Sequence, residues 1–284
     1  MELGSWELTE EFVHGYLSAV GDGLPVYARH GLVPPVALAA RALGSLLEQL
    51  DLLPGAIHSL QEVSALAPVA MGQVVTARAT VGEPKRRGGM EFITAAVCLS
   101  DKSGNDILRS KSTVLVVESS IINSSPITPQ EEGASQNSTK NQTQADPASA
   151  FSTSVVGSLP VVAKTINQDQ LNAYAQVSGD LNPLHLDAQF AATTQFGGII
   201  AHGMLTLAFI SEMMAGEFGK PWLESGSFRV RFKGAAYLGD SVETSGHVEK
   251  EESQPDGNHL TCAVGVSNRS GQALVSGTAT FLKK

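Results

Sequence analysis

Cysteine is scarce in this sequence, and both a basic charge balance and a long apolar run are missing. The two cysteines, Cys98 and Cys262, lie in strand-like segments without metal-ligand spacing. We therefore expect them to be small apolar residues in a reducing compartment. The formal net charge of −9 argues against nucleic acid as the main partner, because phosphate binding requires a basic face.

Secretion and membrane insertion are not indicated either. The first residues are acidic and lack the charged-then-apolar pattern of a signal peptide. No uninterrupted apolar run approaches the ~18 residues that a membrane helix needs. We expect a cytoplasmic protein that does not insert into membranes.

Apolar residues make up 42% of the 284 residues, which is enough for one large domain or two of ordinary size. The segment 119–152 is different, since it is rich in Ser, Asn, Gln, Thr and Pro and poor in large apolar residues. Such a composition cannot offset its ordering entropy by burial, so it predicts a flexible linker. The linker separates a first unit, 1–118, from a second unit, 153–284.

The two units repeat one another. A shift of 158 residues and then of 167 aligns them, and one deletion of nine residues in the first unit, between Tyr27 and Pro34, explains the change. The aligned identical pairs include Gly21 with Gly179, Asp22 with Asp180, Pro25 with Pro183, Leu38 with Leu205, Gly72 with Gly239, Val97 with Val264 and Thr113 with Thr280. A register kept over about 80 residues indicates a duplication and predicts two like domains.

Each unit shows a polar, turn-rich loop, an apolar helix and four candidate strands. In the second unit the helix covers 202–218 and is apolar on nearly all sides, which predicts that it is buried. The strands are predicted at 227–237, 241–251, 259–268 and 273–282, between segments of turn chemistry. We predict an α+β fold in which an antiparallel meander curls around a buried helix.

One turn of the second unit gathers unusual polar residues. Asp180, Asn182 and His185 surround Pro183 within "GDLNPLHLD". An Asp-x-Asn-Pro segment alone is usually only an Asx-type turn. The added imidazole, and the His-Gly pair that begins the apolar helix, favour a proton-transfer site instead. A zinc site is not predicted, because the spacing of the histidines and acids matches no common pattern.

The stretch "YAQVSGDLNPLHLDAQFAATTQFGGIIAHGMLTLAFIS" closely resembles the signature of the MaoC-like dehydratases, the (R)-specific enoyl-CoA hydratases. The resemblance covers 155–284 and implies the hotdog fold, a helix wrapped by an antiparallel sheet. The first unit resembles the degenerate amino-terminal hotdog of two-hotdog members, but only through the internal repeat. The expected fold is therefore a double hotdog.

The resemblance implies a role for several residues. Asp180 and His185 match the catalytic pair, and Asn182 matches the residue that orients the reacting water. Gly203 matches the backbone N–H that binds the thioester carbonyl, and Ser211 falls where some members line the site. The implied reaction is reversible hydration of a trans-2-enoyl thioester of CoA or acyl carrier protein to the (R)-3-hydroxyacyl thioester, without a metal or other cofactor.

The chemistry of these residue types fits that reaction. A water must lose a proton as it attacks the β-carbon, and the α-carbon must gain one. An imidazole and a carboxylate that share one water can carry out both transfers. A helix N-terminus, with its unpaired N–H groups, suits the negative charge that develops on the thioester oxygen, and glycine allows close approach.

Other polar residues have weaker claims. His202 is expected to make a structural hydrogen bond, and Asp187 is expected to cap a helix or lie in a loop. Arg229, Arg231 and Lys233 alternate on one face of a strand and could meet the phosphates of a carrier, although a solvated strand face explains them equally well.

The first unit is expected to be inactive. It keeps Asp22, but Leu24, Tyr27 and Val36 stand where the second unit has Asn182, His185 and Gly203. Its missing loop leads to the hypothesis that this unit widens the acyl pocket. The alternative is that it only covers the sheet edge as the pseudo-dimer partner.

Two other functions remain open at this point. One is an acyl thioesterase on the same fold, although the Asp-x-Asn-Pro-x-His order favours the hydratase. The other is a non-catalytic acyl-binding or scaffold subunit. The sequence does not set the acyl chain length or the carrier, and a homodimer is possible.

Overall fold

The computed structural model describes residues 1–50, 56–87, 90–117 and 157–284. The predicted linker, 119–152, lies outside these residues, so its flexibility stays a prediction, as do the unit boundaries at 118 and 153.

Both units contain a short strand, an N-terminal helix, a long central helix and four longer strands. The first unit consists of β1 (Glu2–Glu7), α1 (Glu10–Val20), α2 (Val26–His30), α3 (Pro35–Gln49), β2 (Ile57–Ala65), β3 (Val74–Val81), β4 (Lys85–Arg87), β5 (Met90–Ser100) and β6 (Asp106–Val117). The second unit consists of β7 (Ala163–Thr165), α4 (Gln168–Ser178), a 3-10 helix (Pro183–His185), α5 (Ala188–Thr193), α6 (Gly203–Phe218), α7 (Lys220–Ser225), β8 (Ser227–Phe232), β9 (Ser241–Gln254), β10 (Gly257–Asn268) and β11 (Ala273–Lys283). The shared element order agrees with the predicted duplication.

The strands form one antiparallel sheet that runs through both units. Its order is β1-β3-β5-β6-β2-β8-β11-β10-β9-β7, and the short β4 pairs with β5. The two halves of this order mirror each other, and they meet where β2 pairs with β8 from Leu60–Arg231 to Ser64–Ser227. The α+β architecture is thus as predicted.

The predicted simple meander was wrong in one respect. The strand β8 pairs with β11, the last strand, and not with β9, the next one along the chain. Residues 233–240 separate β8 from β9, and Tyr237 pairs with Ile200 there, so no tight hairpin joins these two strands. The other edge of β8 pairs with β2 of the first unit, which places both strands in the middle of the joint sheet. The strand also ends at Phe232 rather than at the predicted residue 237. The backbone turns at Lys233 and Gly234, whose N–H groups both donate to Leu274 O.

The helix α6 lies in the core, as its composition predicts. Eleven of its side chains are buried, including Phe209, Met213 and Met214. It packs against β9 and β10, while its counterpart α3 packs against β1, β2 and β6. Among the described residues, no helix is long and apolar enough to cross a membrane.

The first unit also supports the loop that carries Asp180. The helix α4 ends at Gly179, which adopts a left-handed conformation with φ of 77°. The helix α3 approaches this point so closely that a Cβ at Gly44 would lie 2.0 Å from Ser178 O and 2.8 Å from Gly179 C. Only glycine at position 44 lets the two backbones touch.

We predict that Gly44→Ala destabilises the protein by about 1–3 kcal/mol, because α3 must move away from the start of the loop. Denaturant unfolding measures the loss. Gly216→Ala, in α6, is the matched control: its Cβ would meet only Leu24, at 3.6 Å, and alanine favours a helix by up to about 1 kcal/mol. Equal stability of the two variants would contradict the close approach.

Candidate active site

The polar turn of the second unit is built from local side-chain hydrogen bonds. Asp180 Oδ1 accepts from the N–H of Asn182 at 3.3 Å, and Asn182 Oδ1 accepts from the N–H of Leu184 at 3.0 Å, which caps the 3-10 helix. Asp187 accepts from two N–H groups at the start of α5, so its predicted capping role is confirmed. The predicted Asx-type turn is therefore present. Its hydrogen bonds fix the backbone that carries the candidate catalytic residues.

His185 is buried at the end of this turn, with 7% of its surface exposed. Its Nδ1 lies 2.8 Å from Ile200 O. A carbonyl oxygen only accepts, so Nδ1 carries the proton and Nε2 keeps a free lone pair. Burial lowers the pKa of His185 and outweighs the opposing charge of Asp180 and the bond to Ile200. The ring is thus neutral near pH 7, in the form that accepts a proton through Nε2.

His202 fixes the position of Asp180. Its Nε2 donates to the backbone oxygen of Asp180 at 3.0 Å, so the expected structural hydrogen bond is present. Its ring lies against that of His185, with centroids 3.9 Å apart. Burial and the neighbouring His185 hold the pKa of His202 well below its usual value, which leaves this ring neutral as well.

The helix α6 begins at Gly203, beside these two histidines. The N–H of Gly203 belongs to the first turn, whose N–H groups have no partner within the helix. A Cβ at Gly203 would lie 3.2 Å from a ring carbon of Phe232 and 3.4 Å from His58 Nδ1. Side chains from both units therefore approach Gly203 closely, and a larger residue at this position would crowd them.

His58 is the residue that sequence reasoning missed. It comes from β2 of the first unit, and its ring lies 4.5 Å from that of Phe232. Burial lowers its pKa to about 4, against the opposing influence of Asp180. A lone histidine near the start of a strand gives no signal in the sequence, since its position here depends on pairing between the units.

A metal ion could in principle use this cluster, because the ligand atoms of Asp180, His185 and His202 lie within 4.8 Å of one another. Nitrogen ligands of a tetrahedral zinc stand about 3.3 Å apart, given Zn–N bonds of about 2.0–2.1 Å. We interpret the cluster as a proton-transfer site.

The tentative binding residues lie farther away. Ser211 is eight residues after Gly203, about 12 Å along the helix, and its Oγ accepts from Trp222 Nε1 at 3.4 Å. Arg229, Arg231 and Lys233 are exposed, and Arg229 pairs with Glu62 Oε1 at 3.4 Å. None of these four side chains is joined to the turn by a hydrogen bond or ion pair in the described part of the chain, so their binding roles stay predictions.

In the corresponding turn of the first unit, the carboxylate is already occupied by a hydrogen bond from a neighbouring side chain. Tyr27, which replaces His185, donates its hydroxyl to Asp22 Oδ2 at 2.6 Å, and both residues are buried. Burial raises the pKa of Tyr27 well above its usual value, so this hydroxyl keeps its proton. Leu24 packs against Gly216 where an amide would be needed. The arrangement agrees with the predicted inactivity of this unit.

Comparison with known proteins identifies the second unit with a protein family. The family described as "MaoC like domain" matches residues 154–269. The chain is 34% identical over 114 residues to a 3-hydroxybutyryl-CoA dehydratase of Methylorubrum extorquens, which covers 39% of this chain and 71% of that protein. It is 33% identical over 125 residues to an (R)-specific enoyl-CoA hydratase of Aeromonas caviae, which covers 44% of this chain and 91% of that protein.

Solved structures resemble both units together. A MaoC-like dehydratase superposes with a TM-score of 0.75 at 17% identity, over 99% of this chain and 95% of the other. A conserved hypothetical protein from Mycobacterium tuberculosis, described as a double hotdog, superposes with a TM-score of 0.62 at 14% identity, over 98% and 92% of the two chains. At these identities the likeness concerns the fold, and it confirms the predicted double hotdog.

The buried His185 and His202 and the half-buried His58 make the stability of the protein sensitive to acid. The pKa values of His58, His185 and His202 are lowered in the fold, so the unfolded chain binds more protons between roughly pH 6.5 and the lowered values. Stability is complete above pH 6.5 and is lost as the pH falls through the folded pKa values, by up to about 1.4 kcal/mol per pH unit for each histidine.

Urea unfolding between pH 7 and pH 4.5 measures this slope. His58→Phe removes one of the three groups and should make the slope shallower, most clearly near pH 5. An unchanged slope would contradict a neutral His58.

Proposed function

This chain belongs to the MaoC-like family, and from that premise we propose that it is a hydro-lyase that adds water reversibly to a trans-2-enoyl thioester to give the (R)-3-hydroxyacyl thioester. The observation that carries the proposal is the state of His185. Its Nδ1–H is held by Ile200 O, which leaves the Nε2 lone pair free to act as a base beside Asp180 and the start of α6.

The proton transfers follow from this arrangement. A water held between His185 Nε2 and the carboxylate of Asp180 loses a proton as its oxygen bonds to the β-carbon. The same proton passes through the pair to the α-carbon, so the addition is balanced. Dehydration is the reverse. Each positioned acid or base of this kind contributes about 100- to 10,000-fold to a rate.

Two further groups support the reaction. The Oδ1 of Asn182 already caps the 3-10 helix, so its NH₂ group is the part that can hold the water. The N–H of Gly203, at the positive end of α6, stabilises the charge on the thioester oxygen. Loss of one such donor costs about 2.7–4 kcal/mol of transition-state stabilisation, a contribution comparable to the proton transfers.

The test of the reaction is the absorbance of the enoyl-thioester band, followed with crotonyl-CoA and a long-chain homologue. We expect the wild-type protein to remove the band without releasing free thiol, and Asp180→Asn to lower kcat by about 100- to 10,000-fold. Asp187→Asn is the matched control, because this carboxylate lies in the same loop but only caps α5, and asparagine caps equally well.

Other outcomes lead to the rival functions. Release of free thiol would identify a thioesterase. No change with either substrate would contradict hydration of these thioesters and leave the acyl-binding or scaffold subunit. A strict preference for the short substrate would contradict the hypothesis that the first unit widens the acyl pocket.

For the carrier, we propose that Arg231 and Lys233 meet the phosphates of CoA or of a carrier-protein arm. Both are exposed on the outer face of the sheet, one residue on either side of Phe232, at the end of the strand that borders the site. Arg229 is a weaker candidate because Glu62 already neutralises it in part.

The double variant Arg231→Gln/Lys233→Gln should raise KM for crotonyl-CoA by about two- to thirtyfold at low salt and less at high salt, as expected for two exposed ion pairs. KM for crotonyl-pantetheine, which lacks the nucleotide phosphates, should not change. The control Arg78→Gln/Lys250→Gln removes the same charge from exposed positions on β3 and β9. An equal effect of the two double variants would show only a general charge effect and would contradict this assignment.

A further inference from the structure

A bulge in β2 turns His58 toward the core. Gln61, Val63 and Ala65 are the buried residues of this strand, so strict alternation would place Ser59 inward and His58 outward. The pairing with β6 shifts between His58 and Leu60, and the extra residue reverses the alternation before it. Ser59 is held at the bulge by a hydrogen bond from its Oγ to Thr113 O at 3.0 Å.

The turned ring lies at the start of α6 in the other unit. It packs on Phe232, and its Nδ1 would lie 3.4 Å from a Cβ at Gly203. It is also close enough to Asp180 to be influenced by that carboxylate. His58 therefore lies beside Gly203, the first residue of α6.

The ring packs against Phe232, but one of its nitrogens makes no hydrogen bond among the described residues. His58 Nε2 is buried and has no hydrogen-bond partner among the described residues. The amide of Gln61, on the same face, is already bonded to Ser110 and Ser112 at 2.7 Å each. Buried polar atoms almost always have a partner, so this nitrogen is available to a ligand group that binds beside Gly203.

The chemistry of the ring selects the kind of ligand group. Because burial lowers its pKa to about 4, the ring is neutral near pH 7 and offers one N–H donor without a full charge. A thioester oxygen, which is neutral in the substrate and negative in the transition state, is the acceptor that the proposed reaction brings to the N–H of Gly203. A neutral donor can bind it in both states.

We infer that His58, a residue of the first unit, contacts the substrate in the active site of the second unit, with its Nε2–H donating to the thioester oxygen beside the N–H of Gly203. This inference rests on the proposed function. The degenerate unit then supplies part of the oxyanion site and does more than cover the sheet or shape the acyl pocket.

The test uses the full chain with Asp180→Asn, which binds without turnover, and compares crotonyl-CoA with its thioether analogue, in which CH₂ replaces the carbonyl. Adding His58→Phe should weaken binding of the thioester about tenfold and leave binding of the thioether unchanged. His58→Gln, whose amide N–H can reach the position of Nε2, should restore thioester binding to within about threefold.

Turnover and stability give an independent readout. With Asp180 intact, His58→Phe should lower kcat about 100-fold, as the loss of an oxyanion donor does elsewhere. The unfolding midpoint should stay the same or rise, because the phenyl ring keeps the contact with Phe232 and His58 Nε2 has no hydrogen bond to lose among the described residues. A lower midpoint, together with equal weakening of both ligands, would make His58 a packing residue and overturn the inference.

The remaining outcomes separate this inference from the proposed function. Thioester binding that is unaffected by His58→Phe would overturn the role of His58 alone. Failure of crotonyl-CoA and of its long-chain homologue to bind to the Asp180→Asn protein would overturn the proposed function and, with it, this inference.

Discussion

Backbone hydrogen bonds between β2 and β8 join the two halves of the sheet, from Leu60 and Arg231 to Ser64 and Ser227. This pairing removes the edge that each half would otherwise expose. It also sets the first unit against the start of α6, because Phe232 is the last residue of β8 and His58 the second of β2. The position of the candidate site at the junction is thus a consequence of how two strands pair.

The two duplicated turns differ in how their carboxylates are partnered. In the first unit, Tyr27 gives Asp22 a donor that does not release its proton near neutral pH. In the second unit, the one N–H of His185 donates to a backbone carbonyl, and the lone pair on its other ring nitrogen is free to accept a proton. Tyr in place of His is therefore the difference that turns the carboxylate's partner from a proton-exchanging group into a structural one, while His202 holds the backbone of Asp180 in place.

The features predicted correctly from the sequence are those with a local signal. The buried helix α6 follows from its composition, the cap at Asp187 from turn chemistry, and the duplication from its constant register. The partner of β8 and the role of β2 could not be predicted, because strand order within a sheet depends on contacts between distant segments. The orientation of His58 depends on a single extra residue at Ser59, and a bulge of this kind leaves no pattern in one sequence.

Because one chain forms the whole sheet, the two copies of a position can be substituted independently of each other. In a symmetric dimer every substitution is made twice, once in each active site. In the fused chain, Val36 could replace the glycine that begins the central helix in one copy while Gly203 was kept in the other. Two copies in one chain can therefore diverge separately, and a residue such as His58 can serve one site without a matching change in the other copy.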